Sequence, residues 1–178
     1  MTIRGLFHDT STETNVIQRS TDFRSVCANF ATGVTVVTTN LPSGPAGGTV
    51  NAFTSLSTDP PQIIVCLNKL SRTWNAIEES GAFAVNMLGA DQEHIAKLFA
   101  SKEPDKFSEF KWVHGTTGSP ILEGSIGLIE CSLIEALPQS THMLLIGSVV
   151  NARLGVHNDP LIFFRSSMHS GIRAASGS

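Results

Sequence analysis

No cluster of lysine or arginine occurs in this chain, and only 15% of its residues are charged. With net charge −3 and pI near 6.0, it lacks the basic stripe that tracks a phosphate backbone, so no nucleic-acid partner is expected. No apolar run approaches the ~20 residues of a membrane-crossing helix. Met1–Ser20 is polar and has no signal-like apolar core. The expected setting is therefore cytoplasmic, without a membrane partner. Cysteine is scarce. Cys27, Cys66 and Cys131 are far apart and form neither a C-x-x-C pair nor a zinc spacing. Each sits among apolar residues and reads as a buried thiol in a reducing compartment.

Motifs of several enzyme classes are also missing. No G-x-G-x-x-G follows a strand, and no Walker loop, H-E-x-x-H or G-x-S-x-G elbow is present. Gly124-Ser125-Ile126-Gly127 reads as a turn. The six histidines (His8, His94, His114, His142, His157 and His169) lack the i, i+4 spacing of a metal-binding helix, and no metal is expected.

What is present fits one domain of 178 residues, long enough to bury a core without staples. Residues 1–19 read as a loose polar arm, 20–170 as the domain and 171–178 as a frayed tail. A helix is expected from an N-cap at Ser20 or Thr21, turning Phe23, Val26, Cys27 and Phe30 to the core and ending at Gly33. Val34–Thr39 reads as a strand, and Gln62–Leu67 as one buried on both faces. A helix from Arg72 to Ser80 with Trp74 and Ile77 inward, stopped by Gly81, is followed by a strand at 82–88. Another helix runs from about Asp91 to Ala100, with Ile95, Leu98 and Phe99 inward. Ser101–His114 reads as a polar loop. Strands at 126–136, 143–153 and 160–165 have hairpin-like spacing. The fold class is α+β, an antiparallel, closed or nearly closed β-barrel with a few flanking helices. A fairly apolar surface points to a homo-oligomer.

Two stretches carry chemistry. From Gly47 to Pro61 the chain opens on two glycines, which permit close backbone approach. It continues as a hydroxyl-rich strand (Thr49, Thr54, Ser55, Ser57, Thr58) and stops at Asp59-Pro60-Pro61. Short hydroxyls beside free N–H groups suit a polar, planar or phosphorylated ligand; a half-exposed strand with Thr and Ser on its solvent face is the alternative. In the loop Asn68–Thr73, Ser71 reads as a helix N-cap. With Lys69, Arg72 and Thr73 nearby, unsatisfied N–H groups and the positive dipole end make an anion site, or an ordinary capped surface helix. His142 stands at the mouth of the apolar strand that follows it.

Three segments together resemble the short-chain NAD(P)H:flavin reductases, the small components of two-component monooxygenases. They are Phe30-Ala31-Thr32-Gly33-Val34-Thr35-Val36-Val37-Thr38, then Thr49-Val50-Asn51-Ala52-Phe53-Thr54-Ser55-Leu56-Ser57 ending in Asp59-Pro60-Pro61, then Ser71-Arg72-Thr73. Phe83-Ala84-Val85-Asn86, Asp105-Lys106-Phe107, Gly118-Ser119-Pro120, His142 with Gly147, and Pro160-Leu161 continue the match in order. The resemblance implies a homodimer of flavin-binding Greek-key split β-barrels, with FMN or FAD as cofactor and NADH or NADPH as hydride donor. A monooxygenase would receive the reduced flavin.

The resemblance also implies residue roles. Asn51, Ala52, Phe53 and Thr54 would lie along the isoalloxazine, with Ser55 a further cofactor contact. Ser57, Asn68, Lys69, Ser71, Arg72 and Thr73 would hold the ribityl and phosphate. Lys106 would contact a phosphate or adenylate, and His142 would lie beside the nicotinamide as the catalytic-site histidine. Phe164 and Arg165, where the family has an aromatic–arginine pattern, would be further cofactor contacts. Two places differ. Thr141 stands where many members have Asp, and Ser166-Ser167-Met168-His169 follows Arg165 in a chain with no tyrosine. Both touch the nicotinamide side, which keeps two alternatives open: a tightly held flavin serving another acceptor, or a non-catalytic flavin-binding module.

Overall fold

The structure, a computed structural model, describes residues 14–156 and 159–170, with the side chains of the first helix described from Thr21 on. The expected tail at 171–178 and most of the expected arm lie outside the described residues. Three helices are present: α1 (Thr14–Cys27), α2 (Arg72–Ser80) and α3 (Glu93–Ala100). The strands are β1 (Thr32–Gly33), β2 (Thr35–Leu41), β3 (Gly44–Val50), β4 (Phe53–Thr58), β5 (Pro61–Asn68) and β6 (Ala82–Met87). They continue with β7 (Trp112–His114), β8 (Pro120–Leu122), β9 (Gly127–Gln139), β10 (His142–Leu154), β11 (Ile162–Phe164) and β12 (Ser167–His169). Among the described residues no helix is long and apolar enough to cross a membrane.

The main sheet has seven strands in the order β3-β2-β6-β9-β10-β5-β4, and its pairings are antiparallel. The hydroxyl-rich stretch that reads as one strand is split. Its first part ends β3, its second forms β4, and only Asn51 and Ala52 separate them. These two strands are opposite edges of the sheet. At about 4.8 Å per strand spacing, two residues cannot bridge a flat sheet of this width, so it must curl. The curl brings β3 against β5, but no ladder joins β3 to β4. The barrel is therefore split at a seam rather than closed.

Inside the curl Val37, Val65, Phe83, Val85 and Leu145 are fully buried, and Trp74 and Ile77 of α2 pack into the same cluster. The other face of β2 presents Val36 to Leu88, Ile95, Phe99, Leu122 and Leu161. Complete burial of a side chain such as Phe99 contributes roughly 1.5–3 kcal/mol. The expected polar loop at 101–114 is anchored by aromatics. Phe107 and Phe110 lie 5.1 and 5.4 Å from the Phe99 ring, and Trp112 is 5.7 Å from Phe107.

Several expectations change. β5 alternates: Ile63, Val65 and Leu67 are buried on one face, whereas Ile64 and Cys66 on the other are half-buried. Helix α1 starts earlier than Ser20. Its described phenylalanine and valine stay outside, Phe23 and Val26 being exposed by 68% and 72%, as is Phe30 just after the helix at 75%. Cys27 is likewise exposed, Cys66 is half-buried, and only Cys131 is the buried thiol expected. Burial pushes the Cys131 thiol, with nearby Glu130 adding to it, up to about 12. Gly33 belongs to β1 instead of capping the helix. A further hairpin, β11–β12, turns at Arg165 and Ser166 (φ 48° and 62°) and pairs with β1.

Candidate functional site

Where β3 turns into β4, the chain faces the start of α2 across a cavity of about 710 Å³. Its floor is the backbone of Gly47–Ala52, and the two glycines let that backbone lie close to the helices. A Cβ on Gly47 would stand 2.8 Å from Cε1 of Phe99, and one on Gly48 would stand 3.0 Å from Oγ1 of Thr73.

Helix α2 presents its N-terminus to this space. Ser71 is extended (φ −77°, ψ 138°), its hydroxyl accepts from the Trp74 N–H at 3.1 Å, and Gly81 ends the helix at φ 68°. The backbone N–H groups of Arg72 and Thr73 make no hydrogen bond to a described residue, as the first turn of a helix requires. Asn68 holds the preceding loop: its carboxamide oxygen accepts from Leu70 N–H at 2.8 Å and its carbonyl from Ser71 N–H at 3.0 Å.

Two cations face the cavity. Arg72 donates from Nη2 to the carbonyls of Lys102 (3.4 Å) and Glu103 (3.0 Å). Lys106 is buried, donates from Nζ to the Phe99 carbonyl at 2.7 Å and lies 5.7 Å over that ring. Burial first, and the Arg72 guanidinium second, push the Lys106 ammonium below its ordinary 10.5. Neither cation has a carboxylate partner among the described residues, where the ion pair present is Lys97–Glu93 on the surface of α3.

The cavity gathers Asn51, Ala52, Asn68, Ser71, Arg72, Thr73, Lys106 and His142. Lys69 contributes its backbone to the loop, its N–H donating to the Thr141 carbonyl at 3.1 Å. Phe53 lines a second, more apolar space of about 390 Å³ with Phe30, Thr32 and Leu161, and Asn51 borders both. Thr54 and Ser55 are exposed on edge strand β4, and the Ser57 hydroxyl accepts from Asp59 N–H in the β4–β5 turn at 3.3 Å. Phe164 and Arg165 stand elsewhere. Arg165 donates from Nε to Asn29 Oδ1 at 3.0 Å and from its backbone to the Ala28 carbonyl at 2.8 Å, with its guanidinium 5.2 Å over Phe164. In the single chain this pair anchors the end of α1. Gly47, Gly48, Leu70, Phe99 and Lys102 line the cavity without having been singled out as contacts; the double glycine was the one signal that pointed there.

The donor set suits a phosphorylated, planar ligand: helix N–H groups, two unpaired cations, and a backbone floor opening toward Asn51. No group of His, Cys, Asp and Glu among the described residues is arranged to hold a metal. Residues 27–171 match the family described as "Flavin reductase like domain". The chain belongs to that family.

The reductase subunit HsaB of a flavin-dependent monooxygenase from Mycobacterium tuberculosis is 40% identical over 152 residues, covering 84% of this chain and 81% of that one. The fold matches nitrilotriacetate monooxygenase component B from Mycobacterium thermoresistibile with a TM-score of 0.84 at 34% identity, over 93% of this chain and 94% of that one. The NADH:FAD oxidoreductase SgcE6 of Streptomyces globisporus, solved with NAD and FAD fragments, superposes with a TM-score of 0.82 at 31% identity, over 89% and 94% of the two chains. The split-barrel architecture is thus that of flavin reductases.

Proposed function

We propose that this flavin reductase family member oxidises NADH or NADPH with FMN or FAD as acceptor, works as a homodimer and delivers reduced flavin to a monooxygenase. One observation carries the placement of the flavin. Arg72 and Lys106 face a single cavity beside the open N–H groups of α2, and no carboxylate of a described residue pairs with them. In this reading the Arg72 guanidinium and the Arg72 and Thr73 N–H groups hold the phosphate. The Gly47–Ala52 backbone leads the ribityl chain toward Asn51. Bound flavin supplies the hydride-accepting ring, so the protein needs no nucleophile of its own. Its task is to orient the ring and to offer hydrogen bonds where negative charge grows. His142, at the rim of the cavity, orients the hydride donor. The bare faces of Phe23, Val26 and Phe30 are covered by a second copy of the chain.

Flavin titration followed by fluorescence quenching tests the phosphate placement. FMN is expected to bind more tightly than riboflavin, by a margin that shrinks as salt screens the cations. Equal, salt-independent affinities for the two would remove the phosphate from Arg72 and Lys106.

A further inference from the structure

Strands β9 and β10 meet in a two-residue turn, Ser140–Thr141, with Ser140 at φ 50°. A positive φ at the first turn residue is what a type II′ hairpin requires. The second turn residue makes two contacts in different directions. Its hydroxyl lies 2.9 Å from Nδ1 of His142. Its carbonyl accepts from Lys69 N–H at 3.1 Å, across the β5–β10 register in which His142 pairs with Asn68. Thr141 therefore ties the imidazole to the loop that ends in the Ser71 cap of α2. Nε2 of His142 makes no hydrogen bond to a described residue, and His142 borders the cavity.

We propose that Thr141 is a positioning residue for His142. Its hydroxyl fixes the ring orientation, so that Nε2 is the nitrogen presented to the hydride donor. The reason is chemical. An imidazole at the exposed end of a strand rotates freely unless one nitrogen is held. A hydroxyl does this without adding a charge of its own, since it can donate to or accept from Nδ1. The inference rests on the reading that the donor binds beside His142.

The test compares Thr141→Val, which keeps the shape and removes the hydroxyl, with Thr141→Ser, which keeps the hydroxyl. Both leave the backbone carbonyl that holds Lys69. The Val variant is expected to lose about five- to tenfold in kcat/KM for the nicotinamide donor, the worth of one neutral hydrogen bond. Its flavin affinity and urea midpoint stay at the wild-type values, and the Ser variant stays near wild type throughout. In a His142→Ala background, adding Thr141→Val has no further effect, since the coupling runs through the imidazole. The ¹⁵N shifts of the His142 ring, read in the flavin-free protein, are expected to change in the Val variant and not in the Ser variant. Unchanged ring shifts and unchanged kcat/KM in Thr141→Val overturn the proposal. A change in ring shifts without any effect on donor kinetics retains the positioning of His142 and overturns the placement of the donor beside it.

Discussion

Lys106 and Arg72 line one cavity, where burial first and the Arg72 guanidinium second push the Lys106 ammonium below its ordinary 10.5. A buried lysine beside an exposed arginine at one cavity favours an anion there, and binding one offsets both the repulsion between them and the burial cost of Lys106. Arg72→Ala combined with Ser71→Ala is expected to weaken FMN by about 10- to 100-fold, the range for a charge-assisted hydrogen bond to phosphate. Riboflavin affinity should barely change. Unaltered FMN affinity would place the phosphate elsewhere.

Glu130 is a buried carboxylate outside the cavity, held by Thr117 N–H and Oγ1 at 2.9 and 3.2 Å and by Asn151 Nδ2 at 2.8 Å. Burial alone pushes its carboxyl up. The donors from Thr117, Asn151 and Thr116 outweigh that and set it below its ordinary 4.5. A depressed carboxyl stabilises the fold above its unfolded value, and that stability is lost as pH falls through the folded value. Glu130→Gln replaces an acceptor by a donor facing the Thr117 and Asn151 donors and is expected to cost about 2 kcal/mol at neutral pH. Urea midpoints should show the gap to wild type narrowing as the pH drops below the ordinary carboxylate range.

Gly147 on β10 faces a closed wall: an added Cβ would lie 2.6 Å from Cζ of Phe83 and 2.9 Å from Cβ of Cys131. Gly147→Ala is expected to destabilise by about 1–3 kcal/mol through overpacking. Gly33 meets nothing within 4 Å and lies outside the left-handed region, so Gly33→Ala serves as the neutral control. Denaturant melts of the two variants check the contrast.

The exposed Phe23 and Phe30 side chains predict the assembly. Sedimentation of the wild type should give a dimer, and Phe23→Asp with Phe30→Asp should shift it to monomer at micromolar concentration. A wild-type monomer would leave those faces without the proposed cover.

Local signals in the sequence carried the elements well where a single residue type decides. Ser71 caps α2 and Gly81 ends it in the left-handed region, both as the cap rules require. The break at Asn51–Ala52 was not legible, because a β-corner keeps strand-like residues on both sides and is set by the curl of the whole sheet. The outward turn of Phe23 and Phe30 was equally hidden: helical spacing states that a face is apolar and not which chain covers it. In the site, the Arg72 loop was readable from capping chemistry alone. The tie of Arg165 to Asn29 was not, since it joins residues far apart in the chain. Lys106 gained its place from the aromatic anchors Phe107 and Phe110, which look like loop residues until Phe99 is seen beneath them.

The central claim is tested most directly by following NADH and NADPH oxidation by absorbance, with and without added FMN, FAD and riboflavin. Donor oxidation that depends on added flavin and saturates with it is the predicted result. No turnover, together with no flavin binding by fluorescence quenching, would contradict the account.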